Sequence, residues 1–361
     1  MTGLLPEGFD DRLPPFADAA ARLERGVLDA ARLNGYEQVE PPLVEYADEL
    51  TRRLKAGAVR DAVRFVDPLS QRTLAIRPDI TAQIGRIAAT RMAHHPRPIR
   101  LSYAGPVLKL RASELRPARA MRQIGVELIG LDSVAAATEV VRVAVDALAA
   151  VGVKGLSIDF TLPDILATLA GDLAPETRTA LSEALDAKDA GRVAAIDRAY
   201  LPLIEAAGPF AAAVEKLRAH DKLASRLDGL VAIAEALPEG IGLTLDPTER
   251  HGFEYQSWVG FSIFGGGARG EIGRGGSYTI VHDGGREEPA VGFTIFADSI
   301  LESQGRSVER RRLFLPFGTD AAAAAKLRTD GWVTVAALTG DDTPEAQLCT
   351  HVLTRHGPEP L

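Results

Sequence analysis

The stretch Arg122-Gln123-Ile124-Gly125-Val126-Glu127-Leu128 alternates with the period of a strand. Ile124, Val126 and Leu128 fall on one face, and Gln123, Gly125 and Glu127 on the other. The first face is core. The second sets an amide and a carboxylate about 13 Å apart, at ~3.3 Å per residue, with a glycine between them. A small zwitterion lying over Gly125 would bring its ammonium to the acid; a half-solvated sheet face would show the same pattern.

Outward from this strand the chain keeps a regular grammar. A preceding strand is expected at residues 99–111, with a basic loop leading into the strand at 121–130. Upstream, Phe16, Ala20, Leu23, Val27 and Ala30 recur at helical spacing, and Asn34-Gly35 ends that helix. Residues 36–46 read as extended, bent at Pro41-Pro42. A hairpin follows, with arms at 64–67 and 73–77. Asp79 or Thr81 then opens a helix carrying Ile80, Ile84 and Ile87; an acid there serves equally as an ordinary helix cap.

Downstream, Asp132-Ser133 opens a helix to about 151, and a short strand runs over 156–160. Residues 162–238 form a helical insertion. Strands return at 241–245, 253–264 and 271–281, and a helix is expected over 291–302. The polar, basic run 304–312 is a linker. The tail, 312–361, reads strand (313–317), helix (319–328), strand (332–338), helix (344–355). Hairpin-joined strands indicate an antiparallel sheet flanked by helices, an α+β domain over 1–303, with a small α/β domain after it.

Composition narrows the function classes. The chain has 361 residues, 46% hydrophobic and 25% charged, with a formal net charge of −8 and one cysteine, Cys349. No apolar run approaches the ~20 residues that cross a bilayer. The start has neither a basic nor an apolar signal region, so a cytoplasmic protein without membrane contact is expected. A single cysteine forms no internal disulfide. The acidic balance does not favour nucleic acid. Gly265-Gly-Gly267-Ala-Arg-Gly270 spells a dinucleotide fingerprint, but strand-like sequence follows it instead of a helix, so it reads as a hairpin turn. His94-His95 and Cys349-Thr-His351 lack metal-site spacing. No metal and no cofactor are expected.

Several segments resemble one family in the same order. Gly35-Tyr-Glu-Gln-Val-Glu-Pro-Pro42-Leu-Val-Glu45 is similar to motif 1 of a class II aminoacyl-tRNA synthetase, which builds the dimer interface. Arg77-Pro-Asp-Ile-Thr81 resembles the Arg-Pro-Glu-Gly-Thr segment of histidyl-tRNA synthetase. The run from Tyr103-Ala-Gly-Pro to Gln123-Ile-Gly-Val-Glu127 resembles its motif 2, and His251-Gly-Phe-Glu-Tyr255 its histidine signature. Gly275-Gly-Ser-Tyr278 and Pro289-Ala-Val-Gly-Phe293 resemble its glycine-rich turn and the approach to motif 3.

The departures are as informative. Lys109 stands where a synthetase carries the arginine that forks onto the α-phosphate, Arg111 replaces a glutamate near the adenine, and Ser299 replaces the motif 3 arginine. The arginine of the histidine signature is His251, with Arg250 beside it, and its second tyrosine is Gln256. Lysine is a point charge and serine carries none, whereas adenylation needs fixed cations on the phosphates.

A family that resembles histidyl-tRNA synthetase while losing these arginines is the regulatory subunit of ATP phosphoribosyltransferase. The resemblance implies a non-catalytic protein in the first step of L-histidine biosynthesis. It would be a homodimer within a hetero-oligomer that activates the short catalytic subunit and transmits feedback by L-histidine. It further implies a histidine site made of Asp79, Thr81, Gln123, Glu127, Tyr255 and His251 or Arg250. The cluster of Lys109 and Arg111 with Arg116, Arg119 and Arg122 suits phosphate or an acidic partner, and equally a solvated loop. The rival readings are a residual histidine-activating ligase and a scaffold with a closed pocket.

Overall fold

The strand read from 122–128 lies near the middle of a nine-stranded sheet in the computed structural model, which describes residues 4–52, 62–111, 118–250, 256–303 and 311–361. The sheet strands are β1 (Glu37–Gln38), β2 (Ile99–Leu108), β3 (Ala120–Ile129), β4 (Ser157–Thr161), β5 (Gly208–Pro209), β6 (Gly242–Leu245), β7 (Gln256–Phe264), β8 (Glu271–Val281) and β9 (Glu287–Phe296). They are ordered β1-β2-β3-β9-β8-β7-β4-β6-β5. The six central strands, β2 to β4 in that order, are all antiparallel neighbours. The β1–β2 and β4–β6 pairs are parallel, so the sheet is mixed towards its edges.

The period-two reading of β3 places its two faces in different cores. Ile124, Val126 and Leu128 pack with helices α1 (Phe16–Leu33) and α3 (Val134–Ala150) in the larger cluster. The opposite face joins a second cluster of Ile80, Ile84, Leu101, Tyr103 and Tyr278 beneath helix α2 (Thr81–Ala89). Local chemistry sets the helix ends. Ser133 Oγ accepts the Ala136 N–H at 3.1 Å and opens α3. Gly35, at φ +83°, ends α1 in a backbone shape that a side chain would oppose. Between β4 and β6 the chain is almost wholly helical, with helices at Pro175–Asp186 and Ala224–Glu235 the longest. None of the described helices is long and apolar enough to cross a membrane.

Two helical expectations give way to strands. Residues 291–296 belong to β9, and the helix there, α4 (Ala297–Ser303), starts later. Val291, Phe293 and Ile295 enter the larger core while Gly292 and Thr294 turn to the other face, so the period is two over this run. Residues 344–355 are not a helix: His351–Thr354 and Gly357–Pro360 form an antiparallel hairpin. The β-branched Thr350, Val352 and Thr354 favour the extended chain, and Gly357 supplies the positive φ, +115°, beside the turn.

The chain divides into two compact units, residues 1–305 and 306–361. In the second, Arg312–Leu315 is flanked by parallel partners Val333–Ala336 and His351–Thr354, and the helix Ala321–Thr329 packs through Ala324 and Leu327 on Leu313 and Leu315.

Candidate functional site

A narrow cleft opens over the second face of β3. Asp79, Thr81, Gln123, Glu127, Gln256, Arg274, Tyr278 and Thr294 line it, together with Gly275, Gly276 and Gly292. Its volume is about 40 Å³, room for a few water molecules and far below the ~150 Å³ that admits a benzene ring. Four of the expected site residues meet here: Asp79, Thr81, Gln123 and Glu127. His251 and Tyr255 lie outside the described residues.

At one end the polar groups are tied to each other. Gln123 Nε2 donates to Asp79 Oδ2 at 2.8 Å, and Gln123 Oε1 accepts the Ile80 N–H at 3.0 Å. Asp79 Oδ1 accepts the Thr81 N–H at 2.8 Å. Asp79 thus accepts an N–H at the start of α2, one residue before the cap position Ile80, and also lines the cleft. Arg77 underpins this end. It is only 3% exposed and donates to the carbonyls of Pro106 and Pro41, both at 2.8 Å, and to Gln83 Oε1 at 3.2 Å. Gly105 is needed there, since an added Cβ would overlap the guanidinium. Burial lowers the Arg77 pKa, with Glu40 and Glu45 opposing it. The motif 1 segment is held from the same helix, because Arg86 pairs with Glu45 through both its Nε and Nη2.

At the other end Glu127, 1% exposed, accepts from Tyr278 Oη at 2.8 Å and from Tyr103 Oη at 3.2 Å. Tyr103 Oη also lies 2.8 Å from Thr294 Oγ1 and 3.4 Å from Thr81 Oγ1. Burial pushes the Glu127 carboxyl up to about 8; the Tyr278 hydrogen bond opposes this and the Asp79 charge adds to it. The same burial raises the Tyr103 hydroxyl. Near neutrality Glu127 is thus a carboxyl able to hold or yield a proton.

The glycines carry a correction. Gly125 does not clear room for a ligand, because the Tyr103 ring stands over it: an added Cβ would lie 2.6 Å from Tyr103 Cζ. Gly275 and Gly276 are not a turn either; they sit inside β8, paired with Phe293 and Gly292 of β9. Gly265–Gly270 does join β7 to β8 as a hairpin turn.

The basic cluster divides among different tasks. Arg122 pairs with Glu24 of α1, with its Nε 2.6 Å from the carboxylate. Arg119 lies 5.0 Å from the Phe9 ring centre and donates to the Lys109 carbonyl at 3.2 Å. Arg111 is exposed, and Arg116 lies outside the described residues. Arg250, the alternative partner for a carboxylate, instead donates to Ser182 Oγ and lies 4.0 Å from Asp186. At the start of α4, beside Ser299, Asp298 pairs with Arg12 and accepts the Arg122 N–H at 3.3 Å. Among the described residues no cluster of His, Cys, Asp and Glu could hold a metal ion.

Sequence reasoning did not single out Arg274 or Thr294 as cleft residues, nor Tyr103 as the buried partner of Glu127. Tyr103 was legible only as a strand residue on the same face as Leu101, and its reach across to Glu127 is a tertiary fact. Arg274 pairs with Glu271, its Nε 3.1 Å from Oε1.

Sheet and cleft define a class: a histidyl-tRNA synthetase-type domain with a polar cleft over the middle of its sheet. The histidyl-tRNA synthetase family profile matches residues 8–300. Within that class the chain belongs to the family of ATP phosphoribosyltransferase regulatory subunits. The relative of that name from Rhodospirillum centenum is 43% identical over 347 residues, covering 93% of this chain and 89% of the relative. Among solved structures, an ATP phosphoribosyltransferase regulatory subunit/histidyl-tRNA synthetase from Bacillus halodurans superposes with a TM-score of 0.79 at 24% identity, covering 96% of both chains. A chain of the ATP phosphoribosyl transferase (HisG:HisZ) complex from Thermotoga maritima gives 0.61 at 17% identity, covering 77% of this chain and 97% of that one. These two structures bear on the fold.

Proposed function

We propose that this chain is a non-catalytic regulatory subunit that activates the short catalytic subunit of ATP phosphoribosyltransferase and lowers its activity when L-histidine occupies the cleft. It works in the cytoplasm as a homodimer within a hetero-oligomer. Family membership supports the partner. The observation that carries the ligand is the cleft itself: a buried carboxyl, Glu127, at one end and the Asp79–Gln123–Thr81 group at the other. An α-ammonium suits Asp79, and a side chain carrying N–H groups suits Glu127. Histidine is larger than about 40 Å³, so its entry widens the cleft. A ligand that displaces its own walls binds one arrangement of the protein better than another, and that difference in affinity is what regulation requires.

Loss of the chain's own chemistry rests on Lys109, Arg111 and Ser299 standing at positions where the resemblance places two phosphate-binding arginines and an adenine-side glutamate. Removing one preorganised donor of this kind costs ~10²–10³ in rate. Turnover of a short catalytic subunit, followed with this chain added and then with L-histidine, tests the proposal: activation followed by histidine-dependent loss is expected. Histidine-dependent exchange of pyrophosphate into ATP by the chain alone would overturn the non-catalytic part.

A further inference from the structure

An amino acid entering the cleft meets two acids and one cation. Of the described residues that line it, Asp79 and Glu127 are acidic and Arg274 alone is basic. The ligand assignment above gives Asp79 the ammonium and Glu127 the side chain, and leaves the carboxylate without a partner. Arg250 is engaged by the helical insertion, where it donates to Ser182 Oγ, and is not among the lining residues. A carboxylate taken out of water without a cation or donors is costly, so the place of Arg274 decides whether a zwitterion fits.

Register sets that place. Tyr103 of β2, Gly125 of β3, Thr294 of β9, Arg274 of β8 and Ser262 of β7 stand side by side across five adjacent strands. Cross-strand partners share a face, and this face is the one that carries Gln123 and Glu127. Thr294 Oγ1 lies 2.8 Å from Tyr103 Oη on it, and Arg274 rises one strand beyond. A bulge then supports the arginine. Residues three apart on an unbroken strand point to opposite faces. Here Ile263 pairs with Gly273 but Phe264 with Glu271, which leaves Ile272 as an extra residue. Ile272 goes into the larger core, and Glu271 comes round to the side of Arg274. Glu271 Oε1 accepts from Arg274 Nε at 3.1 Å, and its Oε2 accepts from Ser262 Oγ at 3.1 Å. Glu271 is not among the lining residues, so it holds the guanidinium from outside the cleft.

We propose that Arg274 is the carboxylate-binding residue of the cleft, its guanidinium taking the α-carboxylate of the bound amino acid, with Glu271 as its positioning residue. This deepens the histidine reading and rests on it. A guanidinium presents five N–H donors in a planar fork matched to carboxylates, so it can serve Glu271 and a ligand together. An amine that lacks the carboxylate would leave this arrangement unused.

The test is calorimetric titration of the full chain, alone and with the catalytic subunit, using L-histidine and histamine, which keeps the ring and the ammonium but has no carboxylate. The unaltered chain should bind histamine at least about tenfold more weakly than L-histidine; equal affinities overturn the proposal. Arg274→Met, which keeps the stem and removes the charge, should weaken L-histidine about tenfold or more while histamine binding does not fall. The preference between the two ligands then disappears, whereas loss of a merely structural arginine would weaken both alike. Arg274→Met that keeps the full preference for L-histidine overturns this proposal alone. No binding of L-histidine by the unaltered chain overturns the histidine reading and this proposal with it. Should Arg274→Met not fold, Arg274→Lys, which keeps a charge but not the fork, should lower the preference by a smaller factor; an unchanged preference in that variant overturns the proposal.

Discussion

The two ends of the cleft are made of similar residues arranged to opposite effect. Around Asp79, Thr81 and Gln123 the described donors and acceptors are paired within the protein, and the pairs shape the start of α2. Around Glu127 and Gln256 stand a carboxyl pushed up to about 8 and an unpaired amide oxygen. The first end is held by hydrogen bonds within the protein. The second is held in shape by glycines and tyrosines and leaves hydrogen-bonding capacity in the cleft.

Substitutions should separate the two ends. The largest effect is expected from Gly292→Ala, whose Cβ would meet Glu127 Oε2 and lie 2.5 Å from the Val126 carbonyl oxygen. Backbone cannot move aside cheaply, so a loss of about 3 kcal/mol or more is expected, read as a fall in Tm with loss of histidine response.

Glu127→Ala should weaken L-histidine binding on the order of 100-fold, by removing a buried charge-assisted partner, while activation of the catalytic subunit persists. Unchanged inhibition by histidine in this variant would place the ligand elsewhere. Glu127 also gives a pH signature. Its folded pKa lies above the unfolded carboxylate value, so the folded state binds this proton more tightly. The associated stability is present in full below the unfolded pKa and is lost as pH rises towards about 8. Thermal unfolding of Glu127→Gln should lack that decline between pH 5 and 8.

Smaller and of a different kind is the effect of Gln123→Leu. It unpairs the Ile80 N–H and Asp79 Oδ2 and should cost about 1–3 kcal/mol, with histidine affinity and stability falling together. A fall in affinity with no change in unfolding would show that Gln123 is a ligand contact only, and would erase the contrast between the two ends.

Much of this was legible in the residues. Alternation at 122–128 identified the strand and both its faces, and Asp79, Thr81, Gln123 and Glu127 converge on one cleft. The helix expected at 291–302 failed because Val291, Phe293, Ile295 and Phe296 suit either period over so short a run; pairing with β3 and β8 decides for a strand. The tail's last helix failed for a related reason, with β-branched residues and Gly357 outweighing a loosely apolar pattern.

The sequence by itself determined the antiparallel α+β frame, the family resemblance and the replacement of phosphate-side arginines, because these depend on periodicity and residue identity, which are local. Only the tertiary structure decided what Gly125, Gly276 and Gly292 make room for, since a glycine records that something approaches and not what does. It alone also showed Tyr103 standing over Gly125 and the Gln256 Oε1 atom without a partner, because hydrogen bonds between distant strands depend on register, which a linear pattern does not encode.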